Sequence, residues 1–211
     1  MARWNHKISL PSGTKLPQTR RFNQLWKRYY IVAKIARPGV IRHTGANAKL
    51  LCGRLDGRPD ALLGGYVEQI KAANVDIQLT DHMLLDLWKK FVLLSGTSGM
   101  TASTRQPLGV IRDDDDMRAF FNKLMHDTIA VGRAAGVLFP ADFQTELDHL
   151  VATFPPTMKA SMANDLEAGN RLELDWLAGK VVALGRKYGI PTPAQEAVYA
   201  ILKPYRIGRI P

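Results

Sequence analysis

The chain lacks most of the features that announce a function. Cys52 is its only cysteine in 211 residues. That excludes an internal disulfide and a cysteine-rich zinc site, and makes a reducing compartment the expected setting. No stretch approaches the roughly 18 consecutive apolar residues of a membrane span, and the start carries no apolar run with a small-residue cleavage site. The expectation is a soluble, cytoplasmic protein. There is no G-x-x-x-x-G-K-[ST] phosphate loop, no G-x-S-x-G nucleophile turn and no G-x-G-x-x-G dinucleotide turn. His6, His43, His82, His126 and His149 show no pair four apart on one helix, so no metal site is expected.

Acidic residues are also missing from the first 28 positions, which carry Arg3, Lys7, Lys15, Arg20, Arg21, Lys27 and Arg28. That segment holds seven of the ten excess positive charges, and the rest of the chain is nearly balanced. A basic tail can contact phosphates, but the body shows no basic stripe, and nucleic acid is not the favoured partner. Pro11, Gly13 and Pro17 break any period there, and residues 1–28 are expected to be irregular.

A hydrophobic share of 46% is enough for a real core. Tyr29–Ala36, Val40–Thr44 and Lys49–Leu55 read as short strands, the first two separated by the turn Arg37-Pro38-Gly39. Beyond Asp60, a good N-cap, the pattern is helical: a helix over 61–73, a brief strand Ile77–Leu79, and a helix over 81–95. Gly96 and Gly99 then mark either a break or a tight packing contact. Apolar faces recur from Met117 to Val131 and from Phe143 to Phe154, the latter stopped by Pro155-Pro156. Further helices are expected from Leu174 to Leu184 and over Ala194–Leu202. The fold class is mainly α, a bundle-like helical region preceded by a small β portion.

Three places invite a chemical reading. The run Asp113-Asp114-Asp115-Asp116 precedes the Met117 helix, where carboxylates cap amides and oppose the macrodipole. Consecutive helical positions point apart, so capping outweighs a cation cage. Lys90 stands among bulky apolar residues in Leu87-Trp88-Lys89-Lys90-Phe91, with Leu94 and Ser98 following at steps of four. A partly desolvated ammonium suits acid–base work. On pattern alone, an Asp86–Lys90 pair on a solvated face is the simpler reading. The third place runs from Ser161 through Asp165, Glu167 and Gly169 to Glu173, which is expected in the first turn of the next helix. There it either complements the dipole or faces a ligand, and the pattern does not choose.

From about Tyr29 to Tyr205 the sequence resembles the later part of ketopantoate reductases (2-dehydropantoate 2-reductases). The carrying motifs are Arg37-Pro38-Gly39-Val40-Ile41-Arg42-His43-Thr44-Gly45, the Leu87–Phe91 helix, Met100-Thr101-Ala102, Ser161-Met162, Asp165-Leu166-Glu167-Ala168-Gly169, Glu173-Leu174-Asp175 and Gly189-Ile190-Pro191-Thr192-Pro193. Each is modest alone, and together they recur in the family's order. The resemblance implies an NADPH-binding Rossmann domain joined to a helical domain, with the reaction in the cleft between. It implies that Lys90 matches the catalytic lysine, that Glu173 matches a carboxylate beside cofactor and substrate, and that Ser161 matches a substrate-binding serine. Leu94 and Ser98 stand where the family often carries asparagines that hold the substrate, and Ser98 is kept as a substrate-binding candidate.

The resemblance divides the chain into 1–28, a basic segment unlike the family; 29–58, a β remnant of the nucleotide-binding domain; and 59–211, the helical substrate and catalytic domain. The function it implies is NADPH-dependent reduction of 2-dehydropantoate or a related 2-keto acid, in the pathway to pantothenate. The chain alone is expected to be inactive for want of the NADPH domain, with a homodimer partner or a complementing nucleotide domain as candidates to complete it. The alternative is a non-catalytic helical oligomerisation or interaction module, with a polyanion-binding basic tail.

Overall fold

A computed structural model describes residues 25–208, and side chains from Ala36 to His43 and from Lys49 onward. The expected irregular segment lies outside the described residues as far as Gln24, but Leu25–Arg28 already belong to a strand. The elements are β1 (Leu25–Arg37), β2 (Val40–Arg54), α1 (Ala61–Ala72), β3 (Ile77–Leu79), α2 (Met83–Thr104), α3 (Leu108–Asp113), α4 (Asp115–Ala134), α5 (Phe143–Ala152), α6 (Ser161–Ala168), α7 (Ala178–Tyr188), α8 (Pro193–Leu202) and a final 3-10 turn, Lys203–Tyr205. The mainly α class with a small β portion at the start is what the sequence led us to expect.

β1 and β2 form a long antiparallel hairpin whose tip is Pro38-Gly39, with Arg37 paired to Val40. Proline presets one turn dihedral and Gly39 takes φ 78°, which suits glycine. The two separate strands expected over 40–55 are one. Pairing runs through Ile31 opposite Ala48 and resumes at Ala33 opposite His43, so a register shift absorbs the irregular Thr44–Asn47 stretch instead of ending the strand. β3 then pairs parallel to β2, Leu50 to Ile77 through Cys52 to Leu79, giving the order β1-β2-β3. A parallel neighbour requires a crossover, and α1 provides it. Its buried Leu63 and Val67 close a small core with Cys52 and Ile77. Asp60 caps α1, its Oδ1 accepting the N–H groups of Leu62 and Leu63.

The second and larger core surrounds α2. This helix was expected to stop near residue 95, yet it runs unbroken to Thr104. The glycines are packing contacts: a Cβ at Gly96 would come within 2.7 Å of Met125 Cγ, and one at Gly99 within 3.3 Å of Val198 Cγ1. Small residues let α4 and α8 approach α2 closely, and Val92, Met100, Phe121, Leu124, Met125 and Val198 fill the space between. Ser95 Oγ and Thr128 Oγ1 meet at 2.9 Å inside this core, and Gln195 Nε2 donates to Leu124 O at 2.9 Å. The acidic run behaves as a cap: Asp114 accepts from Met117 N–H at 2.8 Å, with Asp115 and Asp116 in the first turn of α4. Asp113 instead closes α3, a short helix the sequence pattern did not reveal.

The start of α8 is capped from another helix. Asp127 of α4 accepts the Gln195 N–H at 3.0 Å. Burial pushes this carboxyl above its ordinary 3.8, against the amides of Gln195 and Ala194, which favour the ionised form. The folded state therefore holds the proton more tightly than the unfolded one. Its contribution is most favourable when protonated, and declines as pH rises from 3.8 through the raised folded value. Asp127→Asn keeps an acceptor and removes the titration. Urea melts between about pH 3 and 7 should show a flatter stability profile in the variant, and parallel profiles would contradict this assignment.

Candidate functional site

The geometry of α2 separates two adjacent lysines. Successive helical residues point about 100° apart. Lys89 reaches α5, where its Nζ donates to Glu146 Oε2 at 2.7 Å and lies 5.3 Å from the centroid of the Phe143 ring. Lys90, half-buried, stands on the stripe of α2 that faces away from α4. Asp86, its neighbour one turn earlier, accepts from Thr80 Oγ1 at 2.8 Å, and Thr80 also accepts the His82 N–H. The Asp86 carboxylate thereby fixes the entry into α2, a use the i,i+4 pattern did not show.

Following the Lys90 stripe along α2 leads past Leu94, which is 38% exposed, to Ser98, which is only 2% exposed. Lys90 to Ser98 spans eight residues, about 12 Å of helix rise. The covering element at the far end is α6, which packs on α2. One hydrogen bond registers the two: Ala160 N–H donates to Thr101 Oγ1 at 3.3 Å, while Thr101 donates to Thr97 O at 2.7 Å. Ser161, the first residue of α6, is therefore held beside the Ser98–Thr101 turn with its own surface exposed.

The approach to Ser161 is anchored from behind. Leu108 and Gly109 N–H donate to Met158 O and Pro156 O, at 2.9 and 2.8 Å. Arg112 Nη1 donates to the carbonyls of Val151, Ala152 and Phe154 at 2.8, 3.0 and 3.1 Å, satisfying the end of α5. Thr101→Val preserves shape but leaves the Ala160 N–H unpaired, a loss of about 1–3 kcal/mol. Chemical denaturation checks this, and an unchanged midpoint would remove Thr101 from the account.

Glu173 is not in a helical first turn as expected. It lies four residues ahead of Leu177, the N-cap of α7, and its carbonyl accepts from Trp176 and Leu177 at 3.0 and 3.1 Å. Gly169 ends α6 in the left-handed conformation, so Asp165 and Glu167 belong to α6 and not to the following loop. The Glu173 turn is pinned by α8 and the segment after it: Tyr199 OH donates to Asp175 Oδ1 at 2.9 Å, and Leu172 N–H donates to Arg206 O at 3.0 Å. The Asp175 hydrogen bond is the main reason the Tyr199 hydroxyl titrates above its ordinary 10.0. The structure thus brings Ser161 up to α2, covers Ser98, leaves Lys90 and Leu94 on one stripe, and places an exposed Glu173 through contacts with α8. The anchoring roles of Thr101 and Arg112 were not read from the sequence, because each bonds to a backbone group more than 35 positions away.

Beside Lys90, Leu87, Trp88 and Phe91 face Lys180 and Leu184 of α7 across a shallow groove of about 260 Å³. A lysine bordered by apolar surface suits proton transfer, and the exposed start of α6 with Ser161 lies further along α2, beside the Ser98–Thr101 turn. Among the described residues no cluster of three or more His, Cys, Asp or Glu is placed to hold a metal, and no helix is long and apolar enough to cross a membrane.

Residues 82–206 match the family model for the C-terminal part of ketopantoate reductase PanE/ApbA. The chain belongs to the PanE/ApbA ketopantoate reductase family. It is 27% identical to an uncharacterized oxidoreductase, YkpB, of Bacillus subtilis, over 83% of this chain and 58% of that protein. It is 26% identical to a 2-dehydropantoate 2-reductase of Mesorhizobium japonicum, over 97% of this chain and 65% of that one, an alignment that reaches into the first 28 residues. The solved PanE/ApbA ketopantoate reductase of Ralstonia eutropha superposes with a TM-score of 0.77 at 28% identity, covering 86% of this chain and 59% of that structure. The chain therefore spans about three-fifths of the length of these relatives.

Proposed function

We propose that this chain supplies the substrate and proton-donor side of an NADPH-dependent 2-keto acid reductase of the PanE/ApbA family, with 2-dehydropantoate or a close relative as substrate. In this reading residues 59–211 form the helical domain and 29–58 belong to the sheet of the nucleotide-binding side. The observation that carries it is the position of Lys90: half-buried, on the outward stripe of α2, inside the matched region, and turned away from the ion pair that occupies Lys89.

Reduction of a ketone adds a hydride to carbon and a proton to oxygen. The Lys90 ammonium donates that proton and stabilises the developing alkoxide. The substrate carboxylate lies at the start of α6, where Ser161 and the first backbone amides offer donors and Ala160 provides no side-chain cap. Glu173 is assigned to the cofactor and substrate edge of the site. Ser98, at 2% exposed, supports the floor and reaches substrate only through a local opening.

NADPH is the reductant in this proposal, but the described residues do not fit its pyrophosphate. That group is held by free helix-start amides behind a glycine turn. Here no described helix start follows a G-x-G-x-x-G turn, and the amides of α1, α4 and α8 already donate to Asp60, Asp114 and Asp127. A nucleotide-binding domain, from the same polypeptide or from a partner, is therefore part of the active assembly, which we place in the cytoplasm. Mixing or fusing the chain with the nucleotide-binding domain of a family member should yield NADPH oxidation that depends on 2-dehydropantoate or a related 2-keto acid. No keto-acid-dependent oxidation from a folded assembly would overturn the proposal. The competing module reading predicts that result.

A further inference from the structure

Glu173 is exposed between two buried leucines, Leu172 and Leu174, on the turn that joins α6 to α7. Backbone bonds give that turn its shape: Glu173 O accepts the Trp176 and Leu177 N–H groups, and Leu174 O accepts the Gly179 N–H at 3.0 Å. All of these lie within 173–179, so they do not fix how the turn sits on the rest of the domain. Two contacts with the C-terminal segment do. Leu172 N–H donates to Arg206 O at 3.0 Å, and Tyr199 OH donates to Asp175 Oδ1 at 2.9 Å.

Tyr199 is itself firmly held. It stands on α8 beside the buried Val198 and Leu202, and its ring packs on the main core. A Cβ at Gly179 would come within 2.8 Å of Tyr199 Cε2, so the ring also lies against the first turn of α7. Arg206 stands beside the same hydroxyl, and Lys203 Nζ is 5.8 Å from the ring centroid. The helix that carries Tyr199 packs directly on α2, where Val198 meets Gly99. A continuous chain of contacts thus runs from α2 through α8 and Tyr199 to Asp175, two residues from Glu173.

We propose that Tyr199 is a positioning residue for the reduction: through Asp175 it sets the place of the Glu173 carboxylate relative to α2 and Lys90. This inference rests on the reading of Glu173 and Lys90 given above. A hydroxyl bonded to a carboxylate is among the stronger hydrogen bonds, and a displacement of about 1 Å in a group that orients the reactants is costly in rate.

Kinetics of the chain fused to the nucleotide-binding domain of a family member test the proposal. Tyr199→Phe keeps the ring on Gly179 and removes only the hydroxyl. It should lower kcat for keto acid reduction by about 10- to 100-fold, and Asp175→Ala should lower it equally. Asp175→Asn retains an acceptor and should restore most of that loss. In a Glu173→Ala background, Tyr199→Phe should cause no further loss, because the carboxylate to be positioned is gone. A tyrosine that only stabilises the fold would instead give losses that multiply.

An unchanged rate in Tyr199→Phe would overturn the proposal, as would a loss that multiplies with that of Glu173→Ala. If Glu173→Ala alone lowers the rate in those cases, the assignment of Glu173 stands and only the role of Tyr199 falls. If Glu173→Ala leaves the rate unchanged, both fall. Amide hydrogen exchange on the 211-residue chain reads the same contact without turnover. Tyr199→Phe should speed exchange of the Leu172 N–H by about tenfold as the turn leaves its seat, and an unaltered exchange rate would overturn the proposal.

Discussion

Replacing Lys90 by alanine in the active assembly is expected to lower kcat by a factor of about 10² to 10⁴, the usual contribution of a positioned general acid. Lys89→Ala, one position earlier, should leave kcat within about threefold, and its lost ion pair with Glu146 should cost about 0–1 kcal/mol of stability. The contrast arises from geometry: Lys89 is tied to α5, while Lys90 occupies the outward stripe of α2. A small primary amine added to the Lys90→Ala assembly should restore part of the rate, since it replaces the missing proton donor. A merely structural lysine would show no such rescue. Equal losses for the two lysines would remove Lys90 from the chemistry.

The second large effect concerns stability. A Cβ added at Gly53 would fall on the carbonyl oxygen of Thr80, with Met83 Cβ only 3.2 Å away. Both obstacles are fixed: Thr80 is hydrogen-bonded through its N–H to Cys52 O at 3.0 Å, and Met83 begins α2 and is fully buried. Gly53→Ala must therefore part the end of β2 from the segment that leads into α2, and about 3 kcal/mol is the expected loss. The same substitution at Gly65 should act in the opposite direction. That position is an exposed helix interior with open space around it, so alanine should gain about 0.5–1 kcal/mol. Denaturant midpoints of the two variants test the joint between sheet and helices. A Gly53→Ala protein as stable as the parent would mean that β2 and α2 do not meet as described.

The sequence showed the helices more clearly than their ends. Leu63 and Val67 of α1, and the Phe143 to Val151 face of α5, announced themselves by spacing, because one side of each packs on a core. The unbroken length of α2 was harder to see. Gly96 and Gly99 weaken a helix locally, and only the approach of Met125 and Val198 explains why α2 continues through them. Glu173 was misplaced for a related reason. Leu174 and Leu177 are buried as a helical pattern suggests, yet their burial comes from a turn pinned by α8, and periodicity does not distinguish the two. Of the candidate site, Lys90 and Ser161 were suggested by residue type, order and family likeness. The bonds that bring Ser161 to α2, through Thr101 and Arg112, join residues 39 to 59 positions apart and leave no local signal.

The measurement that bears most directly on the central claim is a crystal structure of this chain soaked with 2-dehydropantoate or a related 2-keto acid. The account predicts the keto oxygen about 2.6–3.2 Å from Lys90 Nζ and the carboxylate at the start of α6 beside Ser161. A keto acid bound elsewhere, for example in the cavity of about 570 Å³ lined by Arg54, Arg58 and Asp60, with Lys90 untouched, would contradict it.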